Sequence, residues 1–290
     1  GFCTDIAVQA GWRDRDDLLG HYNAFEKRFY EKDCLQALYQ AQTEAWTDRC
    51  HIILLDEMNL SRPEPDFAEF LAALEKNNPD ERLITLSEKS LEDAPRLLKE
   101  QRKILVPKNV WFIGTANHDE TTNAFADKTH DRAFVLELPK QDTVKEKIVK
   151  PQSRASWSFE SLNWQFNKAR DNYKAQIAEL QTKINQSSLT TLLSETFRLG
   201  WGNRLESQMK RFVPVVLEAG GSEALAVDHL LASRMFRDGK VTGRHDVNAD
   251  KLHQVEDALR VMWEDCELTG EPARCLAALK SDIERLDSGR

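Results

Sequence analysis

The sequence predicts an α/β fold: a parallel sheet with helices on both faces, followed by an all-helical region. Three observations carry this expectation. Residues 52–55, Ile-Ile-Leu-Leu, form an unbroken aliphatic run that ends in Asp56 and Glu57, the pattern of a strand buried on both faces of a parallel sheet. Residues 108–117, Lys-Asn-Val-Trp-Phe-Ile-Gly-Thr-Ala-Asn, repeat the pattern: a buried strand ending in polar Thr115 and Asn117. From Leu189 onward, apolar residues recur only at helical spacing.

Taken in order, residues 2–9 read as a short strand. Residues 11–23 then carry Trp12 and an acidic cluster at Asp14, Asp16 and Asp17, either a solvated turn plugged by an aromatic ring or a functional contact. A small hairpin is expected over 25–30, and Leu35 and Leu38 mark a helix over 34–46. After the first strand-forming run, the prolines within 61–66 can only open a helix. Phe67, Phe70, Leu71 and Leu74 then recur at helical spacing, an amphipathic helix that covers the sheet and that 77–80 closes. Residues 83–86 and 102–106 flank a charged excursion, 88–101, read as a hairpin or helical insertion before the next strand. Residues 134–138, Phe-Val-Leu-Glu-Leu, are read as the last strand of the sheet.

Three regions follow from this pass: 1–140 as the α/β portion, 141–188 as a linker and long helix, and 189–290 as a helical portion. Leu162, Phe166, Ala169, Tyr173, Ile177, Leu180 and Ile184 recur at alternating threes and fours, one apolar seam on one long helix that packs against the body or its own return segment. Further on, 200–203 breaks the helical pattern, and Pro214 is expected to kink or shorten the next helix. Gly220-Gly221 ends that helix in a left-handed cap. Two or three more helices use Val227, Leu230 and Leu231, then Leu252, Val255 and Leu259, and finally Leu276, Leu279 and Ile283.

Composition bounds the function classes. At 290 residues and 41% hydrophobic, the chain can bury one or two sizeable cores. No apolar run approaches the roughly 20 residues of a membrane span, and there is no amino-terminal leader pattern, so a cytoplasmic protein without membrane contact is expected. The five cysteines are odd in number and scattered, without a C-x-x-C pair, which favours reduced thiols over disulfides or a zinc site. A net charge of −8 argues against a surface that generally coats DNA and leaves room for a local basic contact.

The chemistry sits on the two strands. An acid at the carboxyl end of a parallel strand lies where open α/β sheets hold ligands. Asp56 is placed to hold Mg²⁺, directly or through water, and Glu57 to polarise an attacking water, the Walker B pattern of nucleoside triphosphatases. Together with residues 108–117, with Asp119-Glu-Thr-Thr122 and with Lys128-Thr-His-Asp-Arg-Ala133, this run resembles the AAA+ ATPases, most closely the branch of McrB-type restriction NTPases and the MoxR and dynein-related ATPases. The resemblance covers roughly residues 1–260.

The resemblance implies a P-loop NTPase-type sheet followed by a helical lid. It casts Asn117 as sensor 1, which orients the lytic water beside Glu57. Arg132 matches the arginine finger that reaches a neighbouring subunit's nucleotide, an effect on the order of a thousandfold or more in rate. Arg204 matches sensor 2, contacting the γ-phosphate from the lid, with Arg211 as the fallback. It further implies Mg²⁺ with ATP or GTP, a homo-oligomeric and hexameric ring, and a DNA restriction or defence setting with DNA and a separate nuclease as partners. A MoxR-like chaperone that remodels protein complexes, or a non-catalytic AAA+-shaped scaffold, is the alternative.

No G-x-x-x-x-G-K-[ST] phosphate cradle occurs in the sequence. The family's first strand and Walker A loop precede the strand at 2–9, and that first strand belongs between the 110–114 strand and the last one. These residues are therefore expected to be the downstream part of a longer protein, inactive by themselves.

Overall fold

The computed structural model describes residues 2–62, 67–117, 125, 127–136, 138, 157–200, 202–237 and 249–287. The chain divides into two units, Gly1–Phe134 with Pro139–Asn163, and Val135–Leu138 with Trp164–Arg290. In the first, β1 (Phe2–Ala7) leads to α1 (Asp16–Leu19), the hairpin strands β2 (Gly20–Asn23) and β3 (Arg28–Glu31), α2 (Asp33–Ala41) and β4 (His51–Asp56). There follow a 3₁₀ turn (Met58–Leu60), α3 (Ala68–Leu74), the antiparallel pair β5 (Leu83–Thr85) and β6 (Lys103–Leu105), β7 (Val110–Gly114) and α4 (Asp127–Arg132). The fold is α/β, and the expected strands at 2–9, 52–55 and 110–114 form one parallel sheet in the order β1-β4-β7.

Alternation of side chains decides what each face of that sheet does. His51, Ile53 and Leu55 lie on one face with Ile6, Val110 and Phe112, and Ile53 and Leu55 are almost entirely buried there. Each such burial stabilises by about 1.5–3 kcal/mol. Cys34, Leu35 and Leu38 of α2 join the same core, as do Ile84 and Ile104 of the β5–β6 pair. Phe67 stacks on Phe70 of α3 at 4.9 Å between ring centres, and both meet Phe112 of β7 edge-on at 5.2 and 5.1 Å, so this helix covers the sheet as its spacing predicts.

Helices on both faces were expected; among the described residues one face is covered. On the other, Ile52, Leu54 and Trp111 are half-buried and Ile113 is exposed.

Local polar contacts explain the connections. Asp14 accepts the Asp16 N–H and Asp17 accepts the Arg13 N–H, so the acidic cluster bonds the turn that leads into the short α1. Trp12 packs on the core edge with the Lys32 ammonium 5.8 Å above its ring, the aromatic-plug alternative. Gly20, at φ +102°, is required where the hairpin leaves α1, because a Cβ there would lie 1.9 Å from the Tyr30 carbonyl oxygen. Asn109, buried, donates to the carbonyls of Ala41, Trp46 and Arg49 at 3.2, 3.1 and 3.0 Å, and its own carbonyl accepts the His51 N–H at 2.8 Å. That hub ends α2 before 46 and sets the start of β4. The 88–101 excursion contains no helix: left-handed Glu100 and Gln101 close a turn, so the hairpin alternative holds.

Two sequence expectations are corrected. Residues 134–136 and 138 form no strand; Leu136 and Leu138 are 66% and 87% exposed, and 135–138 group with the helical unit. Among the described residues nothing flanks β7 on its outer side, so an apolar run there has no ladder to join. The long helix is two, α5 (Phe159–Asn172) and α6 (Lys174–Asn185), because Asp171-Asn172 are poor helix formers and Tyr173 follows at φ −105°, ψ 9°. The prolines at 63 and 65, the stretch 119–122 and the charged linker 141–150 lie outside the described residues.

In the helical unit, α6 is followed by α7 (Ser188–Phe197), α8 (Gly202–Glu218), α9 (Glu223–Arg234), α10 (Ala249–Asp265) and α11 (Ala273–Asp287). The seam residues Ile177, Leu180 and Ile184 are buried against Leu189, Leu193, Met209, Val255 and Leu259, so the return-segment packing holds. Pro214 sits inside α8 without ending it. Gly220, at φ +85°, ends it instead: Gly220 N–H donates to the Leu217 carbonyl and Gly221 N–H to the Val216 carbonyl, a Schellman cap. Asp228 of α9 accepts the N–H groups of Arg274 and Cys275 and so caps α11. All five cysteines are free thiols, and burial pushes those of Cys34 and Cys275 well up, which leaves them unreactive. Among the described residues no helix is long and apolar enough to cross a membrane.

His51 is 1% exposed and sits between the rings of Phe2 and Trp46. Burial holds its imidazole below the ordinary value of 6.5. The unfolded chain thus binds the proton more readily, so stability from neutral His51 is present above about pH 6.5 and is lost as pH falls from there toward the depressed folded value. Chemical unfolding of the wild type and of His51→Leu should show a smaller loss in the variant between about pH 7 and pH 5; identical pH slopes would contradict the burial account.

Candidate functional site

The register places the carboxyl ends of all three strands at one edge: Ala7 pairs with Asp56, and Leu55 with Gly114. Past that edge the backbones stay joined. Val8 N–H donates to the Asp56 carbonyl at 3.0 Å, Thr115 N–H to the Leu55 carbonyl at 3.0 Å, and Met58 N–H to the Thr115 carbonyl at 2.8 Å. Between these bonds the chain reverses at Glu57, whose φ of 53° and ψ of 45° put a non-glycine residue in the left-handed region. Such a conformation costs on the order of 1 kcal/mol or more and persists where neighbours over-determine it.

Thr115 supplies that constraint. Its hydroxyl accepts the Glu57 N–H at 2.9 Å and donates to Asp56 Oδ1 at 2.6 Å. An amide N–H can only donate, so the hydroxyl's single proton goes to the carboxylate. No hydrogen bond from the described residues reaches the other Asp56 oxygen or the Glu57 carboxylate, and both side chains are exposed. Beside them, the nearly buried Asn59 donates from its amide to the Asn117 carbonyl at 2.7 Å. This bond ties the end of the β7 extension to the 3₁₀ turn. Gly114 lies against Met58; a Cβ there would fall 2.6 Å from the Met58 sulfur.

Of the residues singled out from the sequence, the structure brings Asp56, Glu57 and Asn117 to this edge. Arg132 closes α4, and its Nε lies 3.3 Å from Glu75 Oε1 at the end of α3, with both side chains partly exposed. Arg204 and Arg211 are exposed positions of α8 in the helical unit. Arg211 is close enough to Arg170 to add to burial in holding that guanidinium below its ordinary value. The roles of Thr115 and Asn59 emerge only from the adjacency of β4 and β7. The one signal for them was a hydroxyl and an amide at the ends of strands already singled out.

The donor set suits a hard divalent cation. Mg²⁺ takes one or two protein carboxylates and completes its shell with water and substrate phosphate, and Asp56 offers one oxygen to which no described residue hydrogen-bonds. Among the described residues no group of three or more His, Cys, Asp or Glu forms an all-protein metal cage. Comparison with protein-family models, with characterised proteins and with solved structures found no match for this chain.

The left-handed turn gives a direct test. Glu57→Ile should lower the unfolding free energy by about 1–3 kcal/mol, and Glu57→Gly by less than about half that. Equal losses in chemical denaturation would contradict a strained backbone at this position.

Proposed function

We propose that this chain is the catalytic-edge and lid portion of a Mg²⁺-dependent nucleoside triphosphatase of the AAA+ type, in the branch of McrB-type and MoxR or dynein-related ATPases. It hydrolyses ATP or GTP as part of a hexameric homo-oligomer and uses that turnover to remodel or translocate a macromolecule in the cytoplasm. A DNA restriction or defence setting with a nuclease partner fits the resemblance best. The observation that carries this reading is the exposed Asp56–Glu57 pair at the carboxyl end of the central strand, cross-linked through Thr115 to the neighbouring strand.

Each side chain has a role on this reading. Asp56 holds the metal through the oxygen that no described residue hydrogen-bonds, directly or through water. Bound Mg²⁺ would neutralise charge on the phosphoryl oxygens. Glu57, turned outward by its left-handed backbone, polarises the attacking water. Asn117, anchored by Asn59 through its carbonyl, orients that water. Arg132 serves a neighbouring subunit's nucleotide, for which it must leave Glu75. Arg204 contacts the γ-phosphate from the lid. No G-x-x-x-x-G-K-[ST] phosphate cradle is among these residues.

Hydrolysis of ATP and of GTP by the full-length protein, with Mg²⁺ and with or without DNA, tests this. Wild type should turn over at least one nucleotide, and Glu57→Gln should lower kcat by about 100-fold or more while nucleotide affinity persists. Undiminished turnover in Glu57→Gln would remove Glu57 from the mechanism and this reading with it.

A further inference from the structure

The site contains a hydroxyl that contacts both acids at once. Thr115 Oγ1 is 2.6 Å from Asp56 Oδ1 and 2.9 Å from the Glu57 amide nitrogen, and among the described residues it is the one side-chain group hydrogen-bonded to both the metal-binding and the water-activating residue. We infer that Thr115 is a positioning residue that sets the metal carboxylate and the base together, so that the alignment of Glu57 depends on the orientation of Asp56. This inference rests on the nucleotide-hydrolysis reading above.

The acceptor side of the Thr115 hydroxyl is taken by Glu57 N–H, which leaves its proton committed to Asp56. Asp56 Oδ1 is thereby held as an acceptor toward the end of β7, and the carboxylate's remaining oxygen accepts no hydrogen bond from the described residues. The same contact holds the Glu57 amide and so fixes a left-handed residue that local preference disfavours. A rotation of Asp56 about its side-chain bonds would pull on Oγ1 and through it on the Glu57 backbone. Partners that orient metal ligands in this way affect metal affinity or activity by on the order of 10- to 100-fold.

The main-chain bonds of Thr115, to Leu55 and Met58, do not use the hydroxyl. Thr115→Val therefore keeps the strand, the shape and the backbone ladder while deleting only the shared group. Thr115→Ser keeps the hydroxyl and loses the methyl group, and Thr115→Ala serves as the second deletion should Val fail to fold.

The test compares these variants in the full-length protein by steady-state hydrolysis across a Mg²⁺ titration, with Glu57→Gln as the inactive reference. Hydrogen exchange at the Glu57 amide is followed without nucleotide or metal. The expected result is a roughly 10- to 100-fold lower kcat and a higher Mg²⁺ requirement in Thr115→Val and Thr115→Ala, with Thr115→Ser within about threefold of wild type. Glu57 amide exchange should accelerate in the Val and Ala variants alone. If Thr115→Val matches wild type in kcat, Mg²⁺ dependence and exchange while Glu57→Gln is inactive, the positioning role falls and the hydrolysis reading stands. If Thr115→Ser is as impaired as Thr115→Val, the hydroxyl is not the active element and the inference falls. If wild type hydrolyses neither nucleotide, or Glu57→Gln matches it, both fall together.

Discussion

The parallel pairing of β4 with a neighbour on each side is the constraint on which the first unit depends. With β1 and β7 both in register, every amide of the 52–55 run has a partner, and Ile53 and Leu55 enter a core shared with α2, α3 and the β5–β6 pair. A slip of one residue would turn those side chains to the poorly covered face and bring Ile52 and Leu54 into the core. Because the register is fixed, the point at which the chain leaves the sheet is fixed too. The two acids therefore emerge at the edge where the strand runs out of partners, beside the end of β7.

What happens at that edge follows from polar bookkeeping. Backbone groups just beyond a ladder need partners. Here the ladder is extended by the Thr115 main chain and hydroxyl, which take the amides of Met58 and Glu57, and by Asn59, which takes the Asn117 carbonyl. These bonds hold a strained turn and leave two carboxylates facing outward with few protein contacts of their own. Such an arrangement is expensive for a loop whose only task is to connect two elements. The Asn109 hub at the opposite end of β4 has a different character: it is buried, satisfies three carbonyls and exposes nothing.

Much of this was legible in the sequence. The strands at 52–55 and 110–114, the phenylalanine face of α3, the Gly220 cap and the buried seam of α6 all follow from periodicity or from single-residue conformational preference. Other features were not. The Thr115 to Asp56 bond joins residues 59 positions apart and exists only because β4 and β7 are adjacent in register. The left-handed state of Glu57 is set by those same cross-strand bonds, against the preference of the residue. The apolar run at 134–138 carries a strand's composition, yet a strand needs a ladder partner as well as a composition. The short α1 was hidden because the aspartates that bond the turn before it read equally well as a solvated turn.

The central claim is that the Asp56 and Glu57 carboxylates face a metal-bound triphosphate. The most direct test is a crystal structure of the full-length protein with a non-hydrolysable nucleotide and Mn²⁺ in place of Mg²⁺, with the metal located by its anomalous scattering. The account predicts a single metal peak coordinated by Asp56, directly or through one water, with the terminal phosphate facing Glu57. A metal and triphosphate bound elsewhere, with both carboxylates far from the nucleotide, would contradict it.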